Sequence, residues 1–267
     1  MRPMKPIPLC AQRIATLAGA AGQRVDIEVL ARTGSTNADL MARLERLGRP
    51  ALLLAESQSA GRGRAGRPWL SEPGAALMFS LAWPFSRPLH ALLGLPLAVG
   101  VALAAGLRAH GAEVRLKWPN DILLDGRKLA GVLIEGAPGV QEGAGLSWAV
   151  IGVGINIGPT IGLEQQLGAP LAGMPAQTDR NALMAALLAQ LAPALERFGE
   201  QGFGAFMDDW NQLHAHAGSE VVVLDHGRLL HQGVAEGVDR EGRLQLRSAA
   251  GIVSVLAGDV SLRPKGV

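Results

Sequence analysis

The chain has 267 residues, 48% of them hydrophobic and 18% charged, enough to bury a full core in one large domain or in a large and a small one. Lys and Arg number 25 against 23 Asp and Glu, and a net charge of +2 excludes the strong basic field of a bulk nucleic-acid binder. A single cysteine, Cys10, excludes an internal disulfide and fits a reducing compartment.

The opening two dozen residues pair a basic start with an apolar run. Pro6, Pro8, Gln12 and Arg13 break any secretory core, so a short helix around 11–21 in a cytosolic chain is expected. Val25 to Leu30 alternates like a strand, and Gly34-Ser35-Thr36-Asn37 then opens a helix. Ser35, Thr36 or Asn37 either caps that helix or turns spare hydroxyl and amide groups toward a ligand at its N-terminus. The apolar runs 51–55 and 75–83 read as buried strands.

Between them lies AESQSAGRGRAGRPW, 55–69, which organises the chain. Gly61, Gly63 and Gly66 let the backbone approach a ligand, while Arg62, Arg64 and Arg67 add cations with no acid before Glu72. Such a loop suits an anion, and without one its self-repulsion predicts mobility. A single copy between strands separates it from the long, repetitive Gly/Arg tails that bind RNA.

The run 91–107 is apolar all round, but Pro96 and its glycines make a buried core helix the better reading than a membrane span. A strand over 113–117 runs into Lys117-Trp118-Pro119-Asn120-Asp121, and Asp125-Gly126 marks a hairpin, which is expected to put Lys117 and Lys128 on neighbouring strands. The strand 148–156 contains Gly152 and Gly154 but has isoleucine where a dinucleotide fingerprint needs its third glycine. Its glycines make room for a flat ligand on the sheet, with Asn156 as a polar contact. Residues 160–178 read as loop, Asp179-Arg180-Asn181 as the cap of a long helix, and 203–214 as a further helix. From about 215 short strands and turns predict a small β-barrel. His214, His216, His226 and His231 lack acidic or cysteine partners in the sequence and do not read as a metal site.

Together GSTN at 34–37, the Gly/Arg loop, KWPNDILLDGRKLAGVLIE at 117–135, IGVGIN at 151–156, DRN at 179–181 and the terminal Val260-Ser261-Leu262-Arg263 resemble the biotin protein ligase family from about residue 28 onward. The resemblance implies an α+β fold: a mixed β-sheet flanked by helices, as in class II aminoacyl-tRNA synthetases, over 1–215, and an SH3-like barrel over 216–267. It implies that biotin and MgATP give biotinyl-5′-AMP, from which a lysine of biotin carboxyl carrier protein takes the biotinyl group.

Ser35, Thr36, Asn37, Gln58, Arg62, Gly63, Arg64 and Lys128 then match biotin-contact positions, and Gly131, Gly152 and Ile155 match the lining of its apolar chain. Arg64, Arg67, Lys117, Asn120, Asn156 and Arg180 match positions near the adenylate. Lys117 and Arg64 are the catalytic candidates, since a carboxylate meeting an α-phosphate needs cations to neutralise the developing charge; Asp121 is a candidate for ordering the loop or meeting magnesium. Some 25 residues before the first strand are too few for the DNA-binding domain of bifunctional members, so DNA repression is not expected. Segment 160–178 lacks the adenine-stacking tryptophan that a family member carries there. Homodimers through the sheet also occur in the family. A lipoate or octanoate ligase shares the fold and chemistry but not the Gly/Arg loop with KWPND and RKLAG; a nucleic-acid-binding module would show itself by steep salt dependence.

Overall fold

The computed structural model describes residues 7–72, 74–139, 146–258 and 260–266, so the basic start through Pro6 lies outside the described residues. Helices α1 (Ala11–Ala18) and α2 (Ala20–Gln23) lead into β1 (Asp26–Leu30), α3 (Thr36–Met41), β2 (Ala51–Ala55) and β3 (Ala76–Phe85). After α4 (Leu95–Arg108) come β4 (Val114–Lys117), β5 (Asp121–Leu124), β6 (Arg127–Pro138) and β7 (Ser147–Asn156), and then α5 (Ile161–Leu167), α6 (Arg180–Gln201) and α7 (Met207–Leu213). Strands β8 (Glu220–Asp225), β9 (Arg228–Val238), β10 (Leu244–Ser248), β11 (Gly251–Val255) and β12 (Val260–Pro264) follow.

The first seven strands form one sheet in the order β1-β2-β3-β7-β6-β5-β4, with β1 and β2 parallel and the other pairs antiparallel. Side-chain alternation sorts its two faces. Leu52, Leu54, Leu81, Ile151 and Ile155 point into the main core with α4 and α6, whereas Leu53, Ala82 and Val150 pack with Leu40 and Leu44 beside α3. Helix α4 is the apolar run expected to be buried, and its Leu95, Leu103 and Leu107 are fully covered. A side chain at Gly106 would strike Leu187 of α6 at 2.9 Å, so the glycine sets the closeness of that helix pair.

Two expectations need correction. Lys117 and Lys128 are not on neighbouring strands, because Ile122 to Leu124 belong to a strand of their own: β5 lies between β4 and β6. Nor is 160–178 all loop; α5 occupies its first part, Leu163 is buried, and Gly168 ends the helix in a left-handed conformation. Gly and Pro around it hide the short helix from a reading by punctuation. The Asp125-Gly126 hairpin is as expected, with φ of 51° and 73° at its two turn residues.

Strands β8 to β12 make an antiparallel sheet in the order β11-β10-β9-β8-β12. Among the described residues no pairing joins β11 to β12, so the expected barrel is seen as a sheet with two edges. It rests against the first sheet: the Trp118 indole, wholly buried, donates to the Gly242 carbonyl at 3.2 Å, and Ala215 N–H donates to Leu116.

Candidate active site

A cavity of about 370 Å³ opens on the α3 face of the large sheet. Its floor is β3 and β7, where Met78 pairs with Gly154 and Ser80 with Gly152. The floor is close-fitted: a Cβ on Gly152 would lie 2.3 Å from Asn37 Oδ1, and one on Gly154 would lie 2.3 Å from the Trp69 ring. The Gly/Arg loop, the ends of β4 and β5, Leu167 to Leu171 and Val260 to Arg263 of the second sheet form the walls.

At one end stands the start of α3. Ser35 caps the helix through Ala38 N–H, and Gln58 Oε1 accepts from the Thr36 backbone at 2.8 Å and from its hydroxyl at 3.2 Å. The Ser80 hydroxyl lies 2.7 Å from Thr36 Oγ1 and 2.5 Å from Asn37 Oδ1, while Asn37 Nδ2 donates to Glu135 at 2.8 Å. Thr36 and Asn37 are nearly covered, yet both line the cavity.

The loop folds back over the cavity. Gly63 N–H donates to Arg67 and Trp69 N–H to Gly61, giving it its own short pairing. Arg62 pairs with Glu135 at 2.7 Å; Arg64 donates to Asn120 Oδ1 at 2.8 Å and to the Gly258 carbonyl between β11 and β12. Trp69 lies between Gly131 and Gly154, and its buried indole N–H has no partner among the described residues.

Cations gather at the other end. Asp121 takes Lys128 at 2.6 Å on one oxygen and faces Lys117 at 3.8 Å with the other. Burial pushes the Lys117 ammonium below the ordinary lysine value; Asp121 opposes this, and Lys128, Arg263 and Arg67 push the same way as burial. Behind Lys117, burial and Lys117 itself lower His216, and burial with His216 lowers His214 to about 4.

Of the residues singled out from sequence, Ser35, Thr36, Asn37, Gln58, Arg62, Gly63, Arg64, Arg67, Lys117, Asn120, Asp121, Lys128, Gly131, Gly152 and Asn156 come together around this cavity. Two do not. Ile155 alternates to the opposite face of β7 and is fully buried in the main core. Arg180 is spent on structure: its guanidinium binds Glu56 at 2.6 Å and the Ile7 carbonyl at 3.0 Å, with 2% of its side chain exposed. Asp121 is engaged by two lysines, and among the described residues no three acidic, His or Cys side chains gather as a metal site. The sequence reading missed Trp69, Ser80, Glu135 and Arg263 as site residues. Trp69 carries a signal as the lone aromatic of the Gly/Arg stretch, and Glu135 and Arg263 close two of the matched motifs without a role assigned to them.

The Biotin/lipoate A/B protein ligase family matches residues 29–156, and the Biotin protein ligase C terminal domain matches 216–263. The bifunctional ligase/repressor BirA of Escherichia coli is 35% identical over 243 residues, covering 89% of this chain and 74% of its own. The biotin–[acetyl-CoA-carboxylase] ligase of Paracoccus denitrificans is 33% identical, with 87% of this chain and 98% of its own covered. A biotin protein ligase from Aquifex aeolicus, solved in complex with biotin and ATP, superposes with a TM-score of 0.71 at 27% identity over 90% of this chain and 99% of that one. A glycine-floored cavity under a Gly/Arg loop, a cationic end at KWPND and similarity to these ligases along most of its length show that this chain belongs to the biotin protein ligase family.

Proposed function

We propose that the α3 end of the cavity holds the biotin rings and that the cationic end holds the adenylate. The chain is an enzyme that adenylates biotin with ATP and passes the biotinyl group to a lysine of biotin carboxyl carrier protein. The arrangement of Lys117 is the observation that carries the site reading: a half-buried ammonium among further cations, at the only carboxylate of the described cavity lining.

A ureido ring needs donors and acceptors together, and Ser35, Thr36, Asn37 and Gln58 offer both at one end. The valeryl chain then runs past Asn37 and Trp69, which cover Gly152 and Gly154, toward Lys117. In the first step a carboxylate oxygen attacks the α-phosphorus and pyrophosphate leaves. Lys117 meets the carboxylate and phosphate oxygens together, and Lys128, Arg64, Arg67 and Arg263 reduce the repulsion between two anions. Asp121, between the two lysines, offsets their mutual repulsion, and incoming anions compete with it for both. Asn120 and Asn156 supply neutral polar contacts near the adenylate. Trp69 offers it a flat face, which takes over from the aromatic missing in 160–178.

In the second step the carrier lysine attacks the acyl carbon and AMP leaves. Arg180 acts at one remove from the adenylate by fixing Glu56, two residues before Gln58. Magnesium enters with ATP rather than in a protein cage, since Asp121 is occupied. Residues 1–215 form the catalytic unit and 216–267 the second, and the open edge at β1 is the surface for pairing with a second copy in a cytoplasmic protein.

ATP–pyrophosphate exchange with biotin, lipoate, octanoate or no acid tests this reading. Exchange with biotin alone is expected; exchange only with lipoate or octanoate would move the substrate assignment, and none with any acid would remove it.

A further inference from the structure

Glu135 lies on β6 as the last residue of the 117–135 motif and has no contact assigned to it, yet it links the two sides of the biotin end. One carboxylate oxygen, Oε2, accepts from Asn37 Nδ2 at 2.8 Å and from Arg62 at 2.7 Å. Asn37 sits on α3, Arg62 on the Gly/Arg loop, and the two share no other hydrogen bond given by their side chains. The amide cannot turn over, because its oxygen would then face a carboxylate and its nitrogen would leave Glu135 for Ser80. Asn37 Oδ1 is also pressed against Gly152, so a small rotation of the amide would change the shape of the floor.

The geometry points to Glu135 as a positioning residue that couples closure of the Gly/Arg loop to the orientation of the amide that reads biotin. The inference rests on the assignment of Asn37 and Arg62 to the biotin end. When Arg62 is drawn in, its charge holds the carboxylate where Asn37 needs an acceptor; when the loop opens, Glu135 is free to swing and the amide loses its fixed orientation. Biotin binding thus favours loop closure through a side chain that need not touch biotin.

Two substitutions separate the arms of this coupling. Glu135→Ala removes both bonds, whereas Glu135→Gln keeps a carbonyl oxygen for Asn37 and loses the ion pair with Arg62. For the alanine variant the KM for biotin in ATP–pyrophosphate exchange is expected to rise about tenfold or more, the usual effect of losing a charge-assisted hydrogen bond, with kcat at saturating biotin changed less than about threefold. Incubated with biotin, ATP and serum albumin but no carrier protein, it should also biotinylate the bystander lysines faster, because the loop closes poorly over the adenylate.

The glutamine variant should raise the KM less than alanine does while releasing adenylate to albumin as alanine does. Wild-type KM and wild-type albumin labelling in both variants would overturn the inference. So would a fall in kcat with KM unchanged, which would place Glu135 in the chemistry. If the alanine variant does not fold, as judged by its thermal transition, the glutamine variant decides alone: wild-type labelling overturns the coupling. Asn37→Ala and Arg62→Ala are measured beside them. If these leave KM and labelling at wild-type values, the site assignment has failed; if they change them and Glu135→Ala does not, only the coupling has failed.

Discussion

Lys117 is held in a contest between burial, which favours the neutral amine, and Asp121, which favours the ammonium; burial wins, with Lys128, Arg263 and Arg67 on its side. The Lys117 cation, proposed above to neutralise the reacting oxygens, is therefore lost at lower pH than an ordinary lysine would lose it. The alkaline limb of ATP–pyrophosphate exchange is expected to fall below pH 10.5, the ordinary lysine value, and to vanish from the profile of Lys117→Ala. That variant should exchange about 10²–10³-fold more slowly and still bind biotin by calorimetry. The sign for stability is opposite in benefit. Just below 10.5 the unfolded chain binds a proton that the folded one has released, so raising pH through that window favours the folded state. The role proposed for Arg64 differs, since its bonds tie the loop down: Arg64→Gly loses those to Asn120 and Gly258. Its expected mark is faster labelling of albumin lysines by escaped adenylate, with exchange retained.

Strand β7 shows how far an element could be read from its residues. The spacing of Gly152, Gly154 and Asn156 predicts room on one face for a flat ligand; that face is the cavity floor, but Asn37 and Trp69 fill the space over the two glycines. The same alternation puts Ile155 on the other face, so period two places it correctly where the motif match had put it with the ligand. What presses on the glycines was not legible, because Asn37 and Trp69 come from distant parts of the chain. Gly152→Ala is expected to force Asn37 aside and raise the biotin KM at least about tenfold while leaving the adenylate end intact; KM for biotin and for ATP, measured separately, checks this. Glu135 stayed hidden for the same reason: a half-buried glutamate on a strand carries no local signal, and its partners lie 98 and 73 residues away. Arg180 was misread because a helix-start DRN looks alike whether its arginine meets a phosphate or, as here, Glu56. The loop arginines and KWPND, by contrast, are contiguous and chemically unusual, so the sequence already singles them out, and they line the same cavity.

At the scale of the molecule, the two sheets meet over a small group of buried rings. Trp210 and His214 lie 4.7 Å apart, His216 follows at 6.3 Å, and both His214 nitrogens lack partners among the described residues. His214 stays neutral in the folded protein down to about pH 4, while the unfolded chain protonates it near 6.5. Stability is thus full above 6.5 and declines as pH falls toward 4, by about 3 kcal/mol from this group. His214→Phe should flatten that decline, seen as a smaller gap between urea midpoints at neutral and mildly acidic pH. The same junction carries Arg64, whose guanidinium holds Asn120 on one sheet and Gly258 beside the other. A single side chain therefore joins the loop, Asn120 and the approach to β12, so breaking its bonds frees the loop from both. In terms of amide hydrogen exchange, protection in β12 and in the Gly/Arg loop should rise and fall as one cooperative unit, although some 190 residues of chain separate them.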